Sequence, residues 1–127
     1  MGTRADFYTR NTEGKLRYVG SIAWDGYPDG IPSYVLGAGN AAAFCHGLYK
    51  WFKHDRTDAT TPKKGFPWPW STSALTDYTY VFDARSGKVQ QFHFGKPINK
   101  RGRPYKWPEM TSRQRVALDN RSGLLIF

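Results

Sequence analysis

The apolar residues of this chain change period twice, and that alternation confines it to a narrow set of folds. Between residues 15 and 24 they recur at every second position (Leu16, Tyr18, Ile22, Trp24). Between residues 41 and 52 they recur at every third or fourth (Ala41, Phe44, Leu48, Trp51, Phe52), and between 78 and 94 the period returns to two (Tyr78, Tyr80, Phe82, then Phe92 and Phe94). Period two lines one face of a strand; period 3.6 lines one stripe of a helix. The fold class this predicts is α+β: two antiparallel β-hairpins forming a small sheet packed on one main helix, with a C-terminal extension.

Local signals place the boundaries. Residues 4–10 (RADFYTR) and 15–24 (KLRYVGSIAW) flank Asn11-Thr12-Glu13-Gly14, a hairpin whose period-two face is expected to be core. Asn40 is a good N-cap for a helix running to about His54. Residues 76–83 and 88–94 form the second hairpin, around Ala84-Arg85-Ser86-Gly87. Residues 55–73 read as loop, because the alternating prolines of Gly65-Phe66-Pro67-Trp68-Pro69-Trp70 forbid a helix. Thr111-Ser112-Arg113-Gln114 matches a capping box and predicts a short helix to about residue 121, stopped by Gly123. The apolar Leu124-Leu125-Ile126-Phe127 is expected to dock on the core or on a partner. Residues 1–95 are thus the expected core domain, and residues 96–127 a basic extension docked on it.

At 127 residues the chain can bury a core without disulfides or metal, and its aromatic content of 17% supplies bulk for one. The single cysteine, Cys45, excludes an internal disulfide framework and fits a reducing compartment. No apolar run approaches the roughly 20 residues that cross a bilayer. The start lacks a signal-peptide core, and Asp6 stands where a myristoylation site needs Ser or Thr. A cytoplasmic location and no membrane partner are expected.

The basicity has an address. Of the 19 Lys and Arg residues ten lie in residues 85–127, against only Glu109 and Asp119, whereas the first 84 residues are almost neutral. A local positive field implies an anionic partner. Lys96, Lys100, Arg101, Arg103, Lys106, Arg113 and Arg115 are candidates for phosphate or carboxylate contacts, with Tyr105 and Trp107 for stacking or insertion into a pocket. A second candidate surface is Phe66, Trp68 and Trp70, whose spacing in an extended segment turns them to one side, next to Lys63 and Lys64. Such a row can stack bases, hold a peptide or roof the apolar stripe of the main helix, and the lid is the favoured reading.

Catalytic and metal constellations are weaker. Asp25, Tyr27 and Asp29 gather two carboxylates and a phenol, the basis for a small hydrolase-like enzyme, but Asp, Gly and Pro in this order already build turns. His46, His54 and His93 with Cys45 invite a zinc reading. Cys45 and His46, however, are adjacent and point about 100° apart on a helix, while His46 and His54 are separated by roughly 12 Å along its axis, so a zinc site is not expected. Cys45 reads as a small buried apolar residue. A triad from Ser71 or Ser73, His93 and Asp77 has no selecting motif. No cofactor or metal is expected.

Met1-Gly2-Thr3-Arg4, Trp24-Asp25-Gly26-Tyr27-Pro28-Asp29-Gly30, and Pro67-Trp68-Pro69-Trp70 before Thr76-Asp77-Tyr78 resemble a group of small uncharacterised bacterial and phage proteins. These open MGTR and carry a WDGYP element after their first hairpin. The resemblance spans about residues 2–94. It implies a phage or mobile-element context in a bacterial host cell, where short proteins often act by binding a host component. The functional expectation is a non-enzymatic inhibitor of anti-defence or anti-CRISPR type, directed at a host protein or nucleoprotein complex with an acidic or nucleic-acid-binding surface. The alternative is a weakly specific DNA- or RNA-binding protein, and the third is the enzyme using Asp25 and Asp29.

Overall fold

The computed structural model of the protein describes residues 2–98, 117–118 and 125–126. Its strands are β1 (Ala5–Arg10), β2 (Leu16–Ile22), β3 (Tyr78–Asp83), β4 (Lys88–His93) and β5 (Lys96–Ile98); helices α1 (Ser33–Leu36) and α2 (Ala41–Asp55) lie between β2 and β3. The five strands form one sheet in the order β2-β1-β3-β4-β5. Both predicted hairpins are present, and β1 pairs with β3 in parallel, joining them into a single mixed sheet. The long helical connection makes that parallel pairing possible. The architecture is α+β.

The first turn forms as its residues dictate. The Asn11 side chain accepts from the Glu13 and Lys15 amides, and Gly14 takes φ 88°. Asn40 caps α2 by accepting from the Ala43 amide at 2.7 Å, and Phe44, Gly47, Leu48, Trp51 and Phe52 face inward. Gly47 sits where an added Cβ would lie 3.3 Å from the Tyr34 ring of α1, so the glycine in mid-helix lets the two helices approach.

The helices cover one face of the sheet. There Phe7 stacks on Tyr80 at 5.4 Å and meets Trp51 and Phe52 edge-on, with Val19, Ile22, Val35 and Phe82 completing a dry core. Rings of this size contribute roughly 1.5–3 kcal/mol each on burial. On the opposite face Tyr8, Leu16, Val81 and Phe92 form a second, smaller cluster against Tyr18.

Several expectations are corrected. Leu16, Tyr18, Ile22 and Trp24 do not share a face. A bulge, at which Phe7 pairs with Gly20 but Tyr8 with Tyr18, moves Leu16 and Tyr18 to the side away from the helices and leaves Ile22 beneath them. Such an inserted residue reverses the alternation beyond it. Trp24 lies past the end of β2, 46% exposed. Phe92 and Phe94 also part company: Phe92 is buried, while Phe94 sits in the turn after β4. The sheet does not end at residue 95, since Lys96–Ile98 adds β5. Within the helix predicted over residues 111–121, Ala117–Leu118 is instead a strand, β6, antiparallel to β7 (Leu125–Ile126). Ala117–Leu118 and Leu125–Ile126 are both short apolar stretches, which pair readily as strands. The rest of that predicted helix lies outside the described residues.

Candidate functional site

The sequence strings that look most distinctive converge on the start of β1. Gly2 packs where an added Cβ would meet Ala23 O and Trp24 Cβ at 2.4 Å, and Thr3 O accepts from the Gly26 amide at 2.8 Å. Gly26 itself is closed in by Ala5 and Thr3, and its carbonyl accepts from the Tyr80 hydroxyl at 2.6 Å. The Arg4 amide donates to Asp77, and Arg4 O accepts from the Tyr78 amide. The Arg4 guanidinium lies 5.4 and 5.5 Å from the ring centroids of Trp68 and Trp70, which stack on one another at 5.9 Å. Gly2-Thr3-Arg4, WDG, PWPW and TDY are therefore parts of one packed knot.

At its centre is Asp6, wholly buried on the face away from the helices. Its Oδ1 accepts from Ser21 Oγ (2.6 Å) and Trp68 Nε1 (2.7 Å); its Oδ2 accepts from Ser73 Oγ (2.7 Å) and Thr76 Oγ1 (2.6 Å). Because Ser21 and Ser73 commit their protons to Asp6, Tyr18 donates to Ser21 and Tyr8 to Ser73, at 2.6 and 2.7 Å. The Trp70 indole likewise donates to Thr76. Seven donors thus point, directly or through one hydroxyl, at a single carboxylate. Burial pushes the Asp6 carboxyl up; hydrogen bonds from Ser21, Thr76, Ser73 and Trp68 oppose this without cancelling it. Chemically the arrangement is a buried polar clasp: it fastens residues 66–76 across the sheet.

This places the Phe66, Trp68 and Trp70 row. The three do share a side, and Phe66 meets Tyr18 edge-on. They roof the sheet face opposite α2, not the stripe of α2 itself. An indole N–H seeks an acceptor when covered, and Asp6 supplies it there. Lys63 and Lys64 stand exposed in the turn just before this roof.

Of the basic candidates, Lys96 is described: it is exposed on β5, the sheet edge. Lys100, Arg101, Arg103, Tyr105, Lys106, Trp107, Arg113 and Arg115 lie outside the described residues. Asp25, Tyr27 and Asp29 are exposed on the turn, which the close packing of Gly26 and Gly30 explains as structure. Ser73 and His93 are on opposite faces of the sheet and form no triad. Burial pushes the Cys45 thiol up, against the opposing charge of Arg17, which disfavours a nucleophile. Among the described residues no group of three or more His, Cys, Asp or Glu is placed to hold a metal, and no helix is long and apolar enough to cross a membrane.

A second clasp was also missed by sequence reasoning. Arg56 donates to Asp58 and to Trp24 O, and its guanidinium lies between the Trp24 and Trp51 rings at 5.5 and 5.3 Å. Burial raises the Asp58 carboxyl, but the Arg56 hydrogen bonds, the Ala23 and Trp24 amides and the Arg56 charge hold it below its ordinary value. Comparison with protein-family models, characterised proteins and solved structures finds no match.

Proposed function

We propose that this chain is a non-enzymatic binding protein of a phage or mobile element, which inhibits or redirects a host nucleoprotein machine through a basic, aromatic surface. The observation that carries this reading is a sorting of charge by burial. Asp6, Asp58, Asp77 and Asp83 are engaged inside the fold, with Arg4, Arg10 and Arg56 as the cations that pair among them. Outside remain Lys15, Arg17, Lys50, Lys53, Lys63, Lys64, Arg85, Lys88 and Lys96, against Glu13, Asp25, Asp29 and Asp55. Within the near-neutral first 84 residues this leaves only a slight positive excess outside, Lys15, Arg17, Lys50, Lys53, Lys63 and Lys64 against the four acids. Arg85, Lys88 and Lys96 extend it, and the tail adds Lys100, Arg101, Arg103 and Lys106 to the same sign. Such a field speeds encounter with an anionic partner, and an aromatic such as Trp107 anchors the complex.

Affinity capture of the tagged full-length protein from its bacterial host, with and without nuclease, tests this. The expected result is a stoichiometric host complex lost when Lys100, Arg101, Arg103 and Lys106 are changed together to Gln. Capture that is unaffected by those substitutions and by salt would overturn the reading.

A further inference from the structure

The connection between β4 and β5 is a two-residue turn, Phe94–Gly95, flanked by the in-register pair His93 and Lys96. Both turn residues have positive φ, 48° and 76°, the pattern of a type I′ hairpin. Gly, Asn and Asp normally occupy its first position, because a bulky Cβ is crowded in the left-handed region. Phe94 is thus an unfavourable residue for its own backbone. Its ring is also 47% exposed at the tip, a second unfavourable feature. A two-residue turn of this type requires neither feature, which makes Phe94 a candidate for a role outside the fold.

The surroundings of Phe94 identify a use. Its ring lies 4.6 Å from His93, His93 lies 4.7 Å from Tyr78, and Tyr78 stacks on Tyr80 at 6.4 Å. Tyr78, His93 and Lys96 are side by side in register on three adjacent strands. A ladder of rings therefore rises from the core and ends on a half-exposed aromatic, and exposed Lys96 stands on the next strand in register with His93. An aromatic face with an adjacent cation matches an unpaired nucleobase and its phosphate. A duplex keeps its base faces stacked on each other and offers this ring only its ends.

We infer that Phe94, supported by His93 and Tyr78 and flanked by Lys96, is a stacking seat for single-stranded nucleic acid. This rests on the anionic-partner reading above and names the partner's chemistry at one site. Binding of the full-length protein to fluorescently labelled oligothymidylate, to a duplex of equal length and to labelled heparin, a polyanion without bases, separates the two. Phe94→Ala is expected to weaken oligothymidylate binding roughly ten-fold or more, leave heparin and duplex binding unchanged, and be rescued by Phe94→Trp. Lys96→Ala is expected to weaken all three. The inference is overturned if Phe94→Ala binds the oligonucleotide as the parent does, or if it weakens heparin or duplex binding equally. It is also overturned if Phe94→Trp fails to restore binding, or if the parent binds heparin but not oligothymidylate. Failure of the parent to bind any of the three removes the anionic-partner reading with it.

Discussion

The two faces of the sheet are held by different physics. Under α1 and α2 the contacts are rings and aliphatic chains, Phe7 on Tyr80 and Phe44 against Phe82. Across the sheet, loop residues 66–76 are held by hydrogen bonds that converge on Asp6. Apolar packing is non-directional and tolerates exchange of similar volumes. A buried carboxylate demands every donor in place, and loss of the acceptor strands all of them. One face should therefore respond to volume, the other to chemistry.

The largest effects test that contrast directly. Phe7→Ala is expected to lose about 3–5 kcal/mol, since it removes a ring contacted on three sides, whereas Phe7→Leu retains most of the stability. Asp6→Ala is expected to lose on the order of 4 kcal/mol by leaving three hydroxyls and an indole N–H without their acceptor. The near-isosteric Asp6→Leu should fare no better than Asp6→Ala. Urea denaturation of the four variants reads these losses; a Leu that rescues position 6 as it does position 7 would abolish the distinction between the faces. Asp6→Asn keeps one acceptor oxygen and is expected to lose only about 1–2 kcal/mol.

The pH dependence separates the two clasps with opposite signs. Asp6 has its folded pKa raised, so the folded protein binds that proton more tightly than the unfolded chain. The resulting stabilisation is present in acid and is lost as pH rises through the folded value. Asp58 has its folded pKa lowered, so its contribution is present above the ordinary carboxyl value of 3.8 and is lost as pH falls through the folded value. The stability advantage of the parent over Asp6→Asn should therefore shrink from acid toward neutral pH, while its advantage over Asp58→Asn should shrink in the other direction. Denaturation curves at several pH values decide it, and two parallel trends would refute the assignment.

The contrast between faces also explains what the sequence disclosed. Dry packing writes itself as period: the stripe Phe44, Leu48, Trp51, Phe52 and the alternation Tyr78, Tyr80, Phe82 are local, and both elements form where they are read. The clasp has no period. Asp6 gathers partners from positions 21, 68, 73 and 76, each an ordinary residue in its own surroundings. The one sign in the sequence was a charge inside a strand, on the same side as Tyr8. Similarly, the spacing of Phe66, Trp68 and Trp70 shows that they share a side but not which face of the sheet they cover. The bulge at Gly20 was hidden for a related reason: alternation reads through it until the partner strand is known. A Cβ at Gly20 would lie 2.7 Å from the Phe52 ring and 2.8 Å from Thr60 O. Gly20→Ala should thus lose about 1–3 kcal/mol, a volume effect expected of the helix-side face.

The smallest expected effect has the opposite sign and concerns the uncovered end of that helix-side face. At φ 48° Asn is far better tolerated than Phe, so Phe94→Asn should raise stability by up to about 1 kcal/mol. A gain of a few degrees in melting temperature, accompanied by loss of oligothymidylate binding, is the expected pair of results. Such a gain would mean that the turn is held away from its stability optimum by the ring it displays. A loss of stability would mean instead that Phe94 belongs to the packing of His93 and Tyr78. The dry face would then extend to the turn, and the stacking seat would be part of the core.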